Sequence, residues 1–239
     1  MESISTETLK ARLKSIRGII SIACAKSSRD PEEVLFIAVS KGRPIDLLLS
    51  AYRIGIRDFG ESYYQELFKK ARAFSEQGIN DFRFHFIGQL QTNKIKKLCA
   101  LENLEYIHTL ASKPHADLFA DYLRNSHKEL KFLIQVNFTG HHSRYGVLPA
   151  DVENLLEHCL AKGISVRGLM CLPMPSAGYS SVASSFSQLR KLRDSLQAKF
   201  KVKLPQLSMG MSNDFAIAVE QGSTMVRIGT AFFGELPKD

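Results

Sequence analysis

The amino-acid sequence predicts a single (β/α)₈ barrel of the TIM type with an extra N-terminal helix, spanning residues 1–239 as one domain. Eight strand-like apolar runs alternate with helix-like segments from end to end, which is the arithmetic of this fold. The first strand–helix turn, Ser40–Arg43, lacks the GxGxxG pattern of a dinucleotide-binding, doubly wound sheet. No linker-like stretch marks a second domain, and we interpret Pro173–Ser185 as a long loop between a strand and its helix.

The composition narrows the class of protein. Of 239 residues, 44% are hydrophobic and 23% charged, which is typical of a folded protein and excludes collagen, coiled-coil arrays and disorder. No run approaches the roughly 20 apolar residues of a membrane span. The polar segment Met1–Lys10 does not resemble a secretory leader. The four cysteines form no CxxC pair, so we expect neither a zinc site nor disulfides, and a cytoplasmic location.

The net charge raises the question of a partner. Lys plus Arg number 32 and Asp plus Glu 24, a formal net charge of +8. Local basic clusters occur at Lys94–Lys97 and Lys199–Lys203, without a recognised nucleic-acid motif. We therefore expect mainly solvated surface, with an anionic small ligand or RNA as the alternatives.

The elements follow in order from hydrophobic periodicity. Residues Glu7–Ala25 place apolar side chains three to four apart and predict an amphipathic helix. The run Val34–Val39 is apolar at every position, as in a strand buried on both faces. The remaining strands are predicted at Ile56–Phe59, Phe82–Ile87, Tyr106–Thr109, Phe132–Phe138, Ile164–Met170, Gln206–Met209 and Thr224–Ile228.

Helices are predicted between these strands. They begin at Ile45, Tyr63, Thr92, Pro114, Ala150, Val182 and Asp214, and the fourth of these ends near Asn125. Only about ten residues follow the last strand, too few for a full closing helix. The N-terminal helix is expected to fill that gap beside the first strand.

Sites in such barrels form at the carboxyl ends of the strands. Lys41 directly follows the first strand, so we expect its side chain at the mouth. A lysine there serves as an ion-pair partner, as an amine that forms a Schiff base with an aldehyde, or merely as a strand end that reaches water.

The late loops are suited to a phosphate group. Ser208–Ser212 follows the seventh strand, and Gly229 and Thr230 follow the eighth. Glycine lets backbone N–H groups approach an anion, and hydroxyls donate hydrogen bonds to it. Barrel phosphate sites often lie after these two strands. Together with Lys41, the loops suggest a phosphorylated aldehyde as ligand.

Ordered motifs run through nearly the whole chain. They are AVSK at Ala38–Lys41, FGESYYQE at Phe59–Glu66, HFIGQLQTNK at His85–Lys94, IHT at Ile107–Thr109, LIQVN at Leu133–Asn137, RGLMCLP at Arg167–Pro173, LSMGMSND at Leu207–Asp214 and GSTMVRIGTAFFG at Gly222–Gly234. By these motifs the chain resembles the YggS/PROSC family of pyridoxal 5′-phosphate (PLP) homeostasis proteins. The family resembles the N-terminal barrel domain of alanine racemase, a fold type III PLP protein.

The resemblance implies a role for individual residues. Lys41 matches the lysine that forms the internal aldimine with PLP. Arg227 matches the arginine that faces the pyridine nitrogen, where a permanent positive charge disfavours protonation of the ring. The positions that match the phosphate-holding turns are Ser208, Met209, Ser212, Gly229 and Thr230. The alternative for Arg227 is a structural salt bridge near the rim.

The chain departs from the family pattern at several positions. Ser62 replaces a usual Asn, Leu110 a usual acidic residue and Gln89 a common Pro, and the segment Phe138–Gly146 differs as well. None of these positions is Lys41 or Arg227. We therefore expect cofactor binding to be kept and details of the pocket mouth to differ.

The histidines admit few functional interpretations. His85, between Phe84 and Phe86, is expected to be a hydrogen-bonded core residue, whereas His108 at a strand end is a pocket candidate. The adjacent His141 and His142 have no nearby acidic pair that would complete a metal site, so no metal is predicted.

The resemblance implies a PLP carrier without catalytic turnover. A racemase needs a second acid/base on the opposite face of the substrate, supplied in alanine racemases by a further domain, and this chain ends at Asp239. We expect a monomer that holds PLP, with PLP-dependent apo-enzymes as potential recipients and with no membrane partner. A weak PLP-dependent amino-acid racemase and an RNA-associated protein are the alternatives.

Overall fold

Parallel strands close into a barrel in chain order, as the alternating pattern predicts. The computed structural model describes residues 4–124, 126–140, 144–173 and 178–236. Within these ranges lie eight strands: β1 Leu35–Val39, β2 Asp58–Glu61, β3 Arg83–Phe86, β4 Leu104–Leu110, β5 Lys131–Val136, β6 Val166–Cys171, β7 Gln206–Ser208 and β8 Met225–Ile228. β1 and β8 pair in parallel register from Leu35 opposite Met225 to Ala38 opposite Ile228, which closes the cylinder.

Helices surround the barrel. They are α1 Thr6–Lys26, α2 Ile45–Arg53, α3 Tyr64–Glu76, α4 Ile95–Cys99, α5 Lys113–Leu123, α6 Val152–Ala161, α7 Tyr179–Phe200, α8 Phe215–Glu220 and α9 Thr230–Phe233. α9 has only four residues. α1 packs against α8 and α9, so the N-terminal helix covers the gap that the sequence leaves there, as predicted.

Five strands, β1, β2, β3, β6 and β8, begin one or two residues later than the apolar runs suggest, and three of these cases have the same cause. Val34, Ile56 and Ile164 are buried, but their backbone N–H groups bond to the carbonyls of preceding turns and helix ends. Burial therefore extends the apolar pattern beyond the paired residues, because a loop residue that packs on the core is as apolar as a strand residue. The predicted helix end at Asn125 lies outside the described residues.

The core has two parts. The larger lies between the strands and the helices and includes nine of the largest fully buried side chains, all phenylalanines. A smaller apolar cluster contains Ile37, Tyr106, Leu133, Met170 and Met225. Barrel interiors are packed with side chains, and here buried polar groups from six strands complete the packing.

The sequence also led to expectations about disulfides, membrane spans and metal sites. Cys24, Cys99, Cys159 and Cys171 are free thiols. In the described part of the chain, no helix combines the length and the hydropathy needed to cross a membrane. The described residues also contain no group of three or more His, Cys, Asp or Glu that is placed to hold a metal ion. His141 and His142 lie outside those residues.

Candidate functional site at the carboxyl mouth

The closed barrel brings the predicted residues of the first and last strands together. Lys41 lies two residues beyond the end of β1 and is exposed at the carboxyl mouth. Because β8 pairs with β1, Gly229 and Thr230 follow the neighbouring strand. A Cβ built on Gly229 would lie 3.5 Å from Val39, so the two strand ends are in contact. An amine and the last loop therefore share one rim.

A buried charge cluster holds the backbone on both sides of this lysine. The ammonium of Lys70 donates to the Ser40 carbonyl oxygen at 2.7 Å, to Glu61 Oε1 at 2.7 Å and to Glu66 Oε2 at 2.9 Å. Ser40 Oγ donates to Glu61 Oε1, and Gly42 N–H donates to Glu66 Oε2 at 2.7 Å. The residues before and after the exposed amine are thus fixed to β2 and α3.

The two carboxylates of this cluster respond differently to it. Burial raises the pKa of Glu61, and the charge and hydrogen bond of Lys70 oppose that rise without cancelling it. Burial would also raise the pKa of Glu66, but hydrogen bonds from Gly42 N–H and Lys70 bring it below its ordinary value. The sequence signal for this cluster is the spacing of Glu61, Glu66 and Lys70, in which the last two lie one helical turn apart.

Arg227 lies inside the barrel below the rim and is only 3% exposed. Its Nη1 donates to Ser208 Oγ, and its Nη2 donates to the Cys171 carbonyl oxygen at 3.1 Å. Both acceptors are neutral and stand at the carboxyl ends of β7 and β6. Burial lowers the pKa of Arg227 to about 10, so the guanidinium stays charged near neutral pH. A buried cation with neutral partners favours a ligand that brings hydrogen-bond acceptors.

Ser208 and Met209, at the end of β7, form their hydrogen bonds inside the barrel. Ser208 is fully buried, and its hydroxyl lies between Arg227 Nη1 and His108 Nδ1, 2.9 Å from the latter. Met209 N–H donates to the Met225 carbonyl oxygen at 3.2 Å, and the Met209 carbonyl oxygen accepts from Ser223 Oγ at 2.7 Å. The polar groups of both residues therefore face interior partners and not the rim.

The following loop does reach the rim. Ser212 is half-buried and its Oγ accepts from Ala231 N–H at 3.2 Å, which links the β7–α8 loop to α9. The loop turns at Gly210, which has φ +97°, a conformation that favours glycine. The Gly210 carbonyl oxygen accepts from Arg227 N–H at 3.0 Å. Ser212, Gly229 and Thr230 are thus neighbours on the side of the mouth next to Lys41.

The structure confirms the predicted position of His85 but not that of His108. His85 is fully buried and hydrogen-bonded at both ring nitrogens, which confirms it as a core histidine. His108, the pocket candidate, is equally buried and lies in the interior instead of the mouth. Its Nε2 is 3.0 Å from His85 Nδ1. Residue periodicity gave no signal for this pairing, because the two rings come from different strands.

The positions that differ from the family pattern lie in different parts of the structure. Leu110, at the end of β4, is fully buried and belongs to the large core, so its apolar character satisfies packing. Gln89 is exposed and Ser62 is half-buried after β2. Part of the segment Phe138–Gly146 lies outside the described residues.

Comparison with known proteins identifies relatives over most of the chain. The model of the family described as "Alanine racemase, N-terminal domain" matches residues 24–237. The pyridoxal phosphate homeostasis protein of Vibrio alginolyticus is 40% identical over 211 residues, 87% of this chain and 89% of the relative. The protein of the same name from Escherichia coli K12 is 36% identical over 226 residues, 93% and 94% of the two chains.

A solved structure gives the same result at the level of the fold. PipY of Synechococcus elongatus PCC7942, whose structure has PLP bound, superposes with a TM-score of 0.83 at 31% identity. The match covers 95% of this chain and 100% of PipY.

Proposed function

The chain belongs to the alanine racemase N-terminal-domain family, and from that premise we propose that it binds PLP at the carboxyl mouth and serves PLP homeostasis. Relatives at 36–40% identity carry the name pyridoxal phosphate homeostasis protein, and PipY binds PLP. When bound, PLP supplies an aldehyde that condenses with a primary amine, a pyridine ring and a phosphate. The residues of the mouth offer a partner for each of these groups.

The observation that carries the proposal is the buried guanidinium of Arg227. It is 3% exposed, charged, and hydrogen-bonded to a hydroxyl and a carbonyl, with no carboxylate among its described hydrogen-bond partners. A pyridine nitrogen is a neutral hydrogen-bond acceptor, which this guanidinium can serve as donor. An always-protonated donor at that nitrogen leaves the ring unprotonated and a poor electron sink.

The residues that would hold the aldehyde and the phosphate of PLP lie at the rim formed by β1 and β8. The Lys41 amine is exposed and lies on a loop whose backbone is held on both sides, so it is placed to attach the aldehyde covalently. The phosphate is assigned to Ser212, Gly229 and Thr230 on the adjoining loops. Ser208 and Met209 are assigned to the support of this site, because their polar groups already have interior partners.

The same chemistry supports a role without turnover. The position of Arg227 disfavours the protonated pyridine ring that stabilises a carbanion best. We therefore propose that the protein shields the reactive aldehyde and releases PLP to apo-enzymes, as a cytoplasmic carrier. This part rests on Arg227 and on the names of the relatives.

The test of binding uses the purified full-length protein and PLP. We expect an absorbance band near the violet end of the visible spectrum, which borohydride reduction removes. After that reduction, a peptide digest should contain PLP fixed to Lys41. Lys41→Ala is expected to abolish both signals. Lys69→Ala, a substitution at an exposed lysine on the nearby helix α3, is the matched control and is expected to keep them. A fixed adduct that maps elsewhere, or none in the wild type, contradicts the proposal.

The test of turnover is deuterium exchange. Loaded protein is incubated with L-alanine in deuterium oxide, beside free PLP at the same concentration. We expect incorporation at the α-carbon no faster than with free PLP. Incorporation at an enzymatic rate that Lys41→Ala abolishes would establish the racemase alternative.

A further inference from the structure

A continuous hydrogen-bonded chain crosses the barrel interior below the mouth. From Arg227 Nη1 it passes to Ser208 Oγ, and from there to His108 Nδ1 at 2.9 Å. It continues from His108 Nε2 to His85 Nδ1 at 3.0 Å and from His85 Nε2 to Asp58 Oδ1 at 3.0 Å. Its members come from β8, β7, β4, β3 and β2, so the link from Ser208 to His108 spans the cylinder.

The five side chains of this hydrogen-bonded series are shielded from water. Ser208, His108 and His85 have no exposed surface, and Asp58 and Arg227 are 5% and 3% exposed. The His85 ring stacks on Tyr106 with 5.3 Å between centroids and an interplanar angle of 5°. Buried polar groups are costly unless each is hydrogen-bonded, so five of them in one series are unlike ordinary core packing.

The two ends fix the direction of the terminal bonds. Arg227 has only donors, and the ionised carboxylate of Asp58 has only acceptors. Burial alone would raise the pKa of Asp58, but hydrogen bonds from His85 and from Arg83, at 2.8 Å from Arg83 Nε, bring it below its ordinary value. His85 therefore donates from Nε2 to Asp58, and in the singly protonated ring its Nδ1 accepts.

The remaining bonds follow in turn. Since His85 Nδ1 accepts, His108 donates from Nε2. Burial and the neighbouring His85 and Arg227 lower the pKa of His108 well below its ordinary value, so the ring is neutral and its Nδ1 accepts. Ser208 O–H donates to that nitrogen, and the serine oxygen accepts from Arg227. Every proton donated within the series points away from the mouth.

We propose that His108 and His85 are positioning residues that, through Ser208, anchor the Arg227 guanidinium in a fixed orientation beneath the bound pyridine ring. The proposal rests on the proposed function for the identity of the ligand. The series links Arg227 by hydrogen bonds to a carboxylate at the amino end of β2, so it ends on a charged acceptor away from the ring nitrogen. Arg227 is then the one member of the series with a proton directed towards that nitrogen, because every other donor is already committed in the opposite direction.

The first test is independent of PLP. In ligand-free protein labelled with ¹⁵N-histidine, we expect both His85 and His108 to be neutral near neutral pH, each protonated at Nε2 and unprotonated at Nδ1. His108→Gln and His85→Gln assign the signals. An Nδ1–H tautomer or a doubly protonated ring at either position overturns the proposal, whether or not the protein binds PLP.

The second test measures PLP affinity by equilibrium titration. His108→Phe leaves Ser208 O–H and His85 Nδ1 without partners and should weaken PLP binding about tenfold or more, since an orphaned buried polar group is costly. His108→Gln keeps one acceptor and one donor on its amide and should restore affinity to within about threefold, as expected of a side chain that preserves the hydrogen bonds. His127→Phe, at an exposed histidine that takes no part in this hydrogen-bonded series, is the matched control.

The outcomes separate the two proposals. Wild-type affinity in a folded His108→Phe protein, or equal losses in the Phe and Gln variants, overturns the positioning role. If wild-type protein itself fails to bind PLP, the proposed function fails, while the tautomers in the free protein still decide the direction of the chain.

Discussion

Lys70 and Glu61 form an ion pair that solvent does not reach, with 2.7 Å between Nζ and Oε1 and side-chain exposures of 5% and 0%. The same ammonium donates to the carbonyl oxygen of Ser40, directly before Lys41. A surface ion pair contributes little to stability, but a buried pair whose partner is removed leaves an uncompensated charge. This pair connects the stability of the barrel to the position of the amine at its mouth.

Substituting Lys70 is therefore expected to affect both properties. Lys70→Met leaves Glu61 buried without its counter-charge and should lower the free energy of unfolding by about 3–5 kcal/mol. It should also weaken PLP retention, because the loop of Lys41 loses its anchor. Urea unfolding and PLP titration measure the two effects.

The control lies two residues further along the same helix. Arg72 pairs with Glu76 at side-chain exposures of 70% and 60%, so Arg72→Met should change stability by less than about 1 kcal/mol. Equal effects of the two substitutions would mean that burial of the Lys70 pair is not what matters.

Gly210 is expected to tolerate no side chain. It has φ +97°, and a Cβ would lie 2.6 Å from the Ala218 Cβ and 2.9 Å from the Phe215 Cα. Gly210→Ala should destabilise the protein by about 2–4 kcal/mol through backbone strain and overpacking. Gly18→Ala, within α1 and with nothing within 4 Å of its Cβ, should stabilise by about 0.5–1 kcal/mol. Thermal or urea unfolding that ranks them in the reverse order contradicts this explanation.

The phosphate assignment predicts a difference between two ligands. Ser212→Ala removes a hydroxyl at the rim and should weaken PLP binding about tenfold or more, the loss expected for a hydrogen bond to a charged group. It should leave the affinity for pyridoxal, which has no phosphate, unchanged. Ser208→Ala should instead weaken both ligands alike, because its hydroxyl supports Arg227. Paired titrations with PLP and pyridoxal give the comparison, and a loss for pyridoxal in Ser212→Ala would refute the assignment.

Ionisation of Asp58 is expected to contribute to the pH dependence of the free energy of unfolding. Its pKa is below the ordinary 3.8 in the folded protein, so the stability that its ionised form contributes is present above that value. It is lost as the pH falls through the folded pKa. Asp58→Asn should be less stable at neutral pH by about 3 kcal/mol, since His85 and Arg83 lose their charged acceptor, and should lose less stability on acidification.

Urea unfolding across this pH range checks the effect. Asp121→Asn removes an exposed carboxylate from an ion pair with Arg124, whose side chains are 61% and 70% exposed, and serves as the comparison. A parallel pH profile for Asp58→Asn and wild type would show that Asp58 titrates as an ordinary carboxyl.

The sequence alone determined the architecture. Uninterrupted apolar runs such as Val34–Val39 are required of strands with helices outside and side chains inside, so the pattern predicts the barrel. It also placed Lys41 and the last two loops at one rim, because the carboxyl ends of parallel strands always meet on the same side. Lys41 and Thr230 are far apart in sequence and lie at the same rim for this reason, and the pairing of β8 with β1 places them on neighbouring strands.

Only the tertiary structure decided where individual polar groups point. Ser208 and His108 are separated by 100 residues, yet their side chains bond across the interior. Ser208 matches a ligand-binding position in sequence, but its hydroxyl is taken by His108 and Arg227. Strand periodicity assigns a residue to a face, whereas the partner on that face depends on strand order, register and barrel closure, which bring together residues that no local pattern relates.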